Sequence, residues 1–391
     1  MGTTIVYSRN ILILFAITVL GSLAANLIVP VWPIYIRSLG ASMTELGYIF
    51  SVSNAVAAAL QVPSGFVSDR FGRRRLHAVG TLIGVFPPFF YALAANWFDL
   101  IPWVILTGVS TGLAVPLRWT MVADDTSAQT RATAFSWLNV AFLTGPTIGP
   151  VIGGLIADVY SVKTPFYLCF LVLCVNSPLS LWLKETRREG SSNTTPEATG
   201  EPMSSPYLTD LTLFSLINVI QGVATGIFTP VTPVFAVQRF SLDLGFVGLL
   251  WAVGFGLSSV IVQIPGARLA DRFRKKRVML LCFMASAPFF GLLSLSRNAV
   301  ELLIYLFLAN AVSGLSWPAF QALTMDLTPA SRWGLVNGMS ATTFWVGMAL
   351  GSALGGLLWD TYGMSIPYYT TAFFMFLSVI PALFLREKYS K

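Results

Sequence analysis

Long apolar runs alternate with short polar breaks along the whole chain. Twelve runs can be counted, at about 11–36, 44–68, 76–96, 98–122, 133–157, 164–183, 208–236, 244–270, 278–296, 300–323, 334–358 and 365–385. A spanning helix needs roughly 20 apolar residues. In lipid, a backbone of that length satisfies its own hydrogen bonds as a helix. The pattern predicts an all-α membrane protein of twelve transmembrane helices. Its rhythm breaks once, from Lys184 to Tyr207, in a stretch rich in Ser, Thr, Pro and Glu without apolar periodicity. That stretch reads as a flexible linker. The expected organisation is a six-helix half over 1–184, a cytoplasmic linker over 185–207 and a second six-helix half over 208–391.

Composition strengthens the membrane reading. Of the 391 residues, 55% are hydrophobic and 10% charged, where a soluble domain is nearer a quarter charged. A net charge of +7 would suggest nucleic acid in a soluble protein. These basic residues instead sit in short loops between apolar runs, so the partner is the lipid bilayer and no nucleic acid is expected. With the N-terminus in the cytoplasm, Arg37, Lys163, Arg239 and Arg297 fall in outer loops. The other twenty of the 24 Lys and Arg lie at or near the inner side. The positive-inside rule then predicts a multi-pass protein of the cell membrane with both termini cytoplasmic. Cys169, Cys174 and Cys282 lie inside apolar runs and read as packing residues. His77 is the only histidine, which excludes a multi-histidine metal site. Nothing resembles a nucleophile–base pair or a phosphate-binding loop, so neither an enzyme nor a cofactor is expected.

The chain also repeats itself. Gln61, Pro63, Asp69, Arg70 and Phe71 return as Gln263, Pro265, Asp271, Arg272 and Phe273, at a spacing of 202. Gly112, Pro116 and Asp124 return as Gly314, Pro318 and Asp326. Gly149, Gly153, Gly154 and Asp158 return as Gly351, Gly355, Gly356 and Asp360. Pro30 and Pro33 return as Pro230 and Pro233, so the first run reads as a spanning helix rather than a discarded leader. Two parallel six-helix halves suit a transporter that rocks about a central site.

These features carry a resemblance. Gly65-Phe-Val-Ser-Asp69-Arg70-Phe-Gly72-Arg73-Arg74 matches GxxxDRxGRR, the loop between the second and third helices of the major facilitator superfamily. The chain resembles that superfamily over essentially its whole length. By itself the loop is a charge cluster that sets topology. The resemblance implies a gate as well. In it, Asp69 meets the N-terminus of the eleventh helix, beside Arg70 and Arg73, in a network with Asp124 and Arg131. A carboxylate at an exposed helix N-terminus gains about 0.3–1 kcal/mol, and such a gate would favour the state closed to the cytoplasm. Asp271 and Arg272 hold the equivalent places in the second copy. There Gly65 and Gly72 become Ala267 and Arg274, which predicts a less close-packed latch.

The fifth run contains Gly145, Pro146, Gly149, Pro150, Gly153 and Gly154. Glycines four apart share a helix face and let another helix approach closely. The two prolines each remove a backbone hydrogen bond and have no counterparts at Met348 and Ser352. The pattern GxxxGPxxGG resembles an element typical of the drug/proton antiporters. The fourth run departs from them, because Gly108 stands where their proton-linked arginine is expected.

The resemblance implies that the first, fourth, seventh and tenth helices line a central cavity. Near mid-membrane they offer Asn26, Asn218, Gln221 and Asn310, with Trp317 among the aromatics. Singly, each amide reads as an interhelical hydrogen bond and each aromatic as an interfacial contact. Collectively they suggest a neutral site for apolar or amphipathic compounds. Arg118 lies about 9 Å along the helix from Asp124. It is able to join the inner gate, the preferred reading, or to meet an anionic group of a substrate. No Asp, Glu, Lys or His falls in the middle of a run. Proton coupling therefore has rim candidates only, namely Glu45, Asp69, Asp124, Asp125 and His77.

The expected function is secondary active export of small apolar or amphipathic molecules by alternating access, as a monomer, with protons as a candidate exchange partner. The second reading is an uptake carrier or facilitator for a metabolite such as a sugar or organic acid, which would need more polar groups at mid-cavity. The third is a non-transporting sensor, which the intact Asp69 loop argues against.

Overall fold

The computed structural model describes residues 8–127, 130–186, 205–328 and 333–387; the side chains of 131–132, 205–207 and 333–335 lie outside that description. Each apolar run folds as a helix long and apolar enough to cross a membrane. In chain order these are α1 (Arg9–Ser38), α2 (Met43–Phe71), α3 (Arg73–Leu93), α4 (Trp97–Asp124), α5 (Thr133–Val159) and α6 (Thr164–Trp182). They continue as α7 (Leu208–Phe240), α8 (Leu244–Arg272), α9 (Lys275–Leu295), α10 (Ala299–Leu327), α11 (Val336–Tyr362) and α12 (Ile366–Phe384). The polar breaks hold the caps. Ser42 and Glu45 form a reciprocal capping box at the start of α2, and Asp243 and Asn298 accept the first free N–H groups of α8 and α10. Glu45, a candidate for proton coupling, is therefore engaged in starting a helix.

The repeat is not kept in every backbone detail. Helix α1 is interrupted between Ile28 and Trp32, whereas Pro230 and Pro233 lie inside an unbroken helix in α7. Helix α8 widens to a π-turn over Ala252–Leu257, where α2 stays regular. Such π-turns are frequent at functional sites.

Helix α5 packs against α1 in the first six spans and α8 in the second six. Helix α11 packs against α7 and, across, against α2. The arginines and lysines around Arg70–Arg75 and Arg272–Arg277 gather at one end of the bundle, the basic face; the opposite end is the far face. The largest hydrophobic cluster lies toward the far face and draws on both sets of spans. It joins Tyr35, Met43 and Phe166 to Phe228, Phe235 and Tyr368. Toward the basic face the clusters separate. Ile11, Leu14, Met121 and Leu138 form one from the first six spans, and Phe214, Met279, Phe320 and Leu385 form another from the second.

Candidate functional site

Helix α5 carries two small-residue stripes one position apart. A Cβ added at Gly145, Gly149 or Gly153 would strike Ser22, Asn26 or Leu27 of α1. The neighbouring stripe, Pro146, Pro150 and Gly154, faces α8: the Pro146 and Pro150 carbonyls lie against Gly256 and Gly248, and Gly154 against Leu244. The prolines have a local consequence. Pro146 has no N–H for the carbonyl of Phe142 four residues back, and Ser22 Oγ donates to that carbonyl at 2.6 Å. Pro150 frees the carbonyl of Pro146 in the same way, and this oxygen abuts Gly256 in the π-turn of α8. On the α2–α11 side the matching stripe of α11 has no proline. There Ser352 Oγ bonds the Met348 carbonyl and accepts Asn54 Nδ2 at 3.3 Å. Asn139 of α5 donates to Gln263 of α8 at 3.3 Å.

At the far face two carboxylates cross between the sets of spans. Asp158, at the end of α5, accepts the N–H groups of Leu244 and Gly245 at the start of α8, at 3.0 and 2.6 Å. Asp360, at the end of α11, accepts Thr44 N and Thr44 Oγ1 at the start of α2, both at 2.7 Å, and Met43 N at 3.4 Å. Each places negative charge on the positive end of a helix dipole, with charge-assisted hydrogen bonds. Their recurrence 202 residues apart was visible in the chain; the helix that each meets was not.

At the basic face the acids stay within their own spans. Arg73 pairs with Asp124 of α4 and, at 3.5 Å, with Asp69 one turn back on α2. Thr186 Oγ1 donates to Asp124 at 3.3 Å. Glu185 accepts the backbone N–H groups of Arg73 and Arg74 at 3.0 and 3.3 Å. It reaches them beside Gly72, whose φ of +94° suits glycine and whose missing Cβ leaves room for the carboxylate. The second copy repeats the plan more loosely. Lys275 pairs with Asp326, and Glu387 accepts Lys276 N at 3.4 Å. Glu185 and Glu387 are the functional candidates that sequence reasoning missed. The signal was there, because Leu183-Lys184-Glu185 recurs as Leu385-Arg386-Glu387 at the same spacing.

The expected gate residues are thus partly assembled. Asp69 is 68% exposed at its side chain, and the partner it has is Arg73. Asp271 is exposed and forms no ion pair among the described residues. Arg70 and Arg272 lie over the rings of Phe71 and Phe273. The side chain of Arg131 lies outside the described residues.

The cavity candidates are largely occupied locally. Asn26, Asn218 and Asn310 each donate to the carbonyl four residues back on their own helix. Gln221 donates to Ser378 of α12 at 3.0 Å. Trp317 is 52% exposed and stacks on Phe320. Arg118 does not join the ion pair at Asp124, which Arg73 makes instead; it points toward Gly21 of α1 and Asn176 of α6. The gate reading preferred for Arg118 is therefore not the arrangement found.

The sequence profile of the Major Facilitator Superfamily matches residues 14–216 and again 214–391. The chain belongs to that superfamily and is a multi-pass secondary transporter, not an enzyme. It is 28% identical over 337 residues to the tetracycline resistance protein, class B, of Escherichia coli, a match spanning 84% of this chain and 82% of that protein. It is 24% identical over 375 residues to multidrug resistance protein 2 of Bacillus subtilis (strain 168), spanning 94% and 92%. The crystal structure of a D-xylose-proton symporter superposes with a TM-score of 0.79 over 96% of this chain and 98% of that one, at 15% identity. That likeness speaks for the fold.

Proposed function

We propose that the protein exports small apolar or amphipathic compounds across the cell membrane by alternating access, as a monomer, with its basic face in the cytoplasm. The observation that carries this reading is the uneven core. It is shared between the two six-span halves at the far face and separate within each half at the basic face. Such a molecule is closed outward and ready to admit a compound from inside. The α5–α8 and α2–α11 contacts then act as the pivots. The drug-resistance names of the relatives and the Gly-Pro stripe of α5 support export over uptake.

In this reading Asp69, Arg70, Arg73, Asp124 and Arg131, with Asp271 and Arg272, form the gate at the basic face. Asp69 is free to approach the start of α11 when that face closes. Asn26, Asn218, Gln221, Asn310 and Trp317 offer acceptor oxygens and an aromatic surface to the compound. The candidate route for protons is the rim carboxylates, since among the described residues no acid lies in the middle of a span. The test is transport by purified protein in liposomes under an imposed pH gradient, with a panel of neutral and singly charged aromatic compounds. Compound-dependent proton flux that is lost in Asp69→Asn supports gated exchange. Compound movement without proton flux leaves export and removes the proton. Failure to move any of the panel overturns the reading.

A further inference from the structure

Three polar side chains inside the first six spans take no part in the pivots, the carboxylate caps or the ion pairs described above. His77 of α3 is fully buried, and neither ring nitrogen has a partner. Asn176 of α6 is buried, and its Oδ1 has no partner. Arg118 of α4 has a buried Nε without a partner and pairs with no carboxylate among the described residues. The three converge behind α1. A Cβ on Gly21 would lie 3.2 Å from Asn176 Nδ2 and 3.9 Å from an Arg118 Nη. His77 and Arg118 each stand one turn nearer the basic face than Gly80 and Ala114, where α3 and α4 touch. Polar groups nearby that are able to satisfy each other do so: Thr81 and Ser180, one turn from His77 and Asn176, pair at 3.2 Å.

A guanidinium within a membrane span is normally kept with a partner or beside a water-filled space. The acids at the adjoining face are engaged elsewhere. Asp124 holds Arg73, Asp125 takes the Ser8 hydroxyl, and Glu185 sits on the start of α3. The counter-charge for Arg118 is thus not supplied by these acids. The group whose geometry the guanidinium fork fits is a carboxylate, received by two parallel N–H bonds. Asn176 Nδ2 and an imidazole N–H add donors around it. A side chain at position 21 would press on Asn176 Nδ2, so glycine lets the backbone of α1 lie close to these groups.

We propose that Arg118, His77 and Asn176 form an anion-binding site inside the first six spans, reached between α1 and α4, that takes a single carboxylate. Resting on the transport reading above, the exported compounds then include amphipathic monocarboxylates, with the apolar body in the cavity and the acid behind α1.

The test separates binding from transport. The thermal midpoint of purified full-length protein is titrated with sodium acetate, and in parallel with sodium chloride, at constant ionic strength set by a bulky sulfonate. A saturable rise with acetate is expected, weakened about tenfold or more in Arg118→Gln and partly kept in Arg118→Lys. Asn176→Asp builds the missing carboxylate into the chain, so it is expected to raise the midpoint without added anion and to erase the acetate response. Equal saturation by chloride would overturn the carboxylate assignment in favour of a free halide. No saturable rise with either anion, or a rise unchanged in Arg118→Gln, overturns the site and leaves water as its occupant. In liposomes, wild type is expected to prefer a monocarboxylate over its amide, and Arg118→Gln to lose the preference. If neither compound moves, the transport reading fails while the binding result stands.

Discussion

The two ends of the bundle use the same chemistry for opposite purposes. At the far face, Asp158 and Asp360 each leave their own six spans and cap a helix in the other six. At the basic face, Glu185 and Glu387 also sit on helix starts, but on helices of their own six spans. Asp124 and Asp326 likewise pair at home. A carboxylate on a helix N-terminus is worth about 0.3–1 kcal/mol when exposed and up to about 2 when partly buried. That is enough to bias a two-state equilibrium without locking it. Acids that cross the boundary hold one end shut. Acids that stay home brace each set of six spans at the end that parts in the proposed cycle.

The comparison breaks most severely at the glycine contacts. A Cβ at Gly356 would overlap the main chain of Met43 and Thr44, and backbone does not yield as a flexible side chain does. Gly356→Val is expected to cost about 1–3 kcal/mol or more and to push α2 from α11. Labelling of a cysteine introduced near Thr44 by a membrane-impermeant thiol reagent should rise sharply, and transport should fall close to zero. Next is the paired change Asp158→Asn with Asp360→Asn. It keeps one acceptor oxygen at each site but removes the charge, for a loss of about 1–2 kcal/mol in total. Spin-label distances across the far face should show the open population growing roughly tenfold, with distances inside each six-span unit unchanged.

Smaller effects are expected at the basic face. Arg73→Ala removes the link between Asp124 and Asp69, a partly exposed pair of about 1 kcal/mol. It should lower the thermal midpoint without opening the far face; a far face that opened would show the two ends to be coupled through α2. Asp69→Asn should change stability by less than about 0.5 kcal/mol, since the carboxylate is mostly exposed. It should nonetheless slow turnover, because the partner proposed for it at α11 is met in the other state. Asp271→Asn, with no ion pair among the described residues to lose, should leave the midpoint unmoved and turnover slowed less than Asp69→Asn does. Equal slowing would show the two gate copies to be equivalent despite Gly72 and Arg274.

Much of the architecture was legible in the chain, because lipid leaves a buried backbone one economical choice and hydrophobic length then counts the spans. The 202-residue repeat paired Asp158 with Asp360 and Asp124 with Asp326 before any helix was placed. Partners were harder to read. Asp124 was expected in a network with Asp69 and Arg131; the cation that pairs with both acids among the described residues is Arg73. Glu185 was read as part of a polar linker, yet it completes the start of α3. Arg118 looked like a neighbour of Asp124, six residues away on one helix, but six residues is well over a turn and puts the two on different faces. The amides placed in the cavity turned out to bond largely along their own helices, a local option that composition does not reveal.

Apolar run length, repeated positions and the placement of positive charge are properties of the chain itself. They determined the number of spans, the twofold plan and the class of transporter expected. Only the tertiary structure decided which carboxylate crosses to which helix, that the prolines of α5 bring free carbonyls against Ser22 and Gly256, and that Arg118 lies beside His77 and Asn176. The physical reason is range. Hydrophobic periodicity and propensity act within a turn or a span, whereas a helix cap or an ion pair between residues some 200 positions apart depends on how whole helices lean together. That lean is set by small differences in close packing that no single stretch contains.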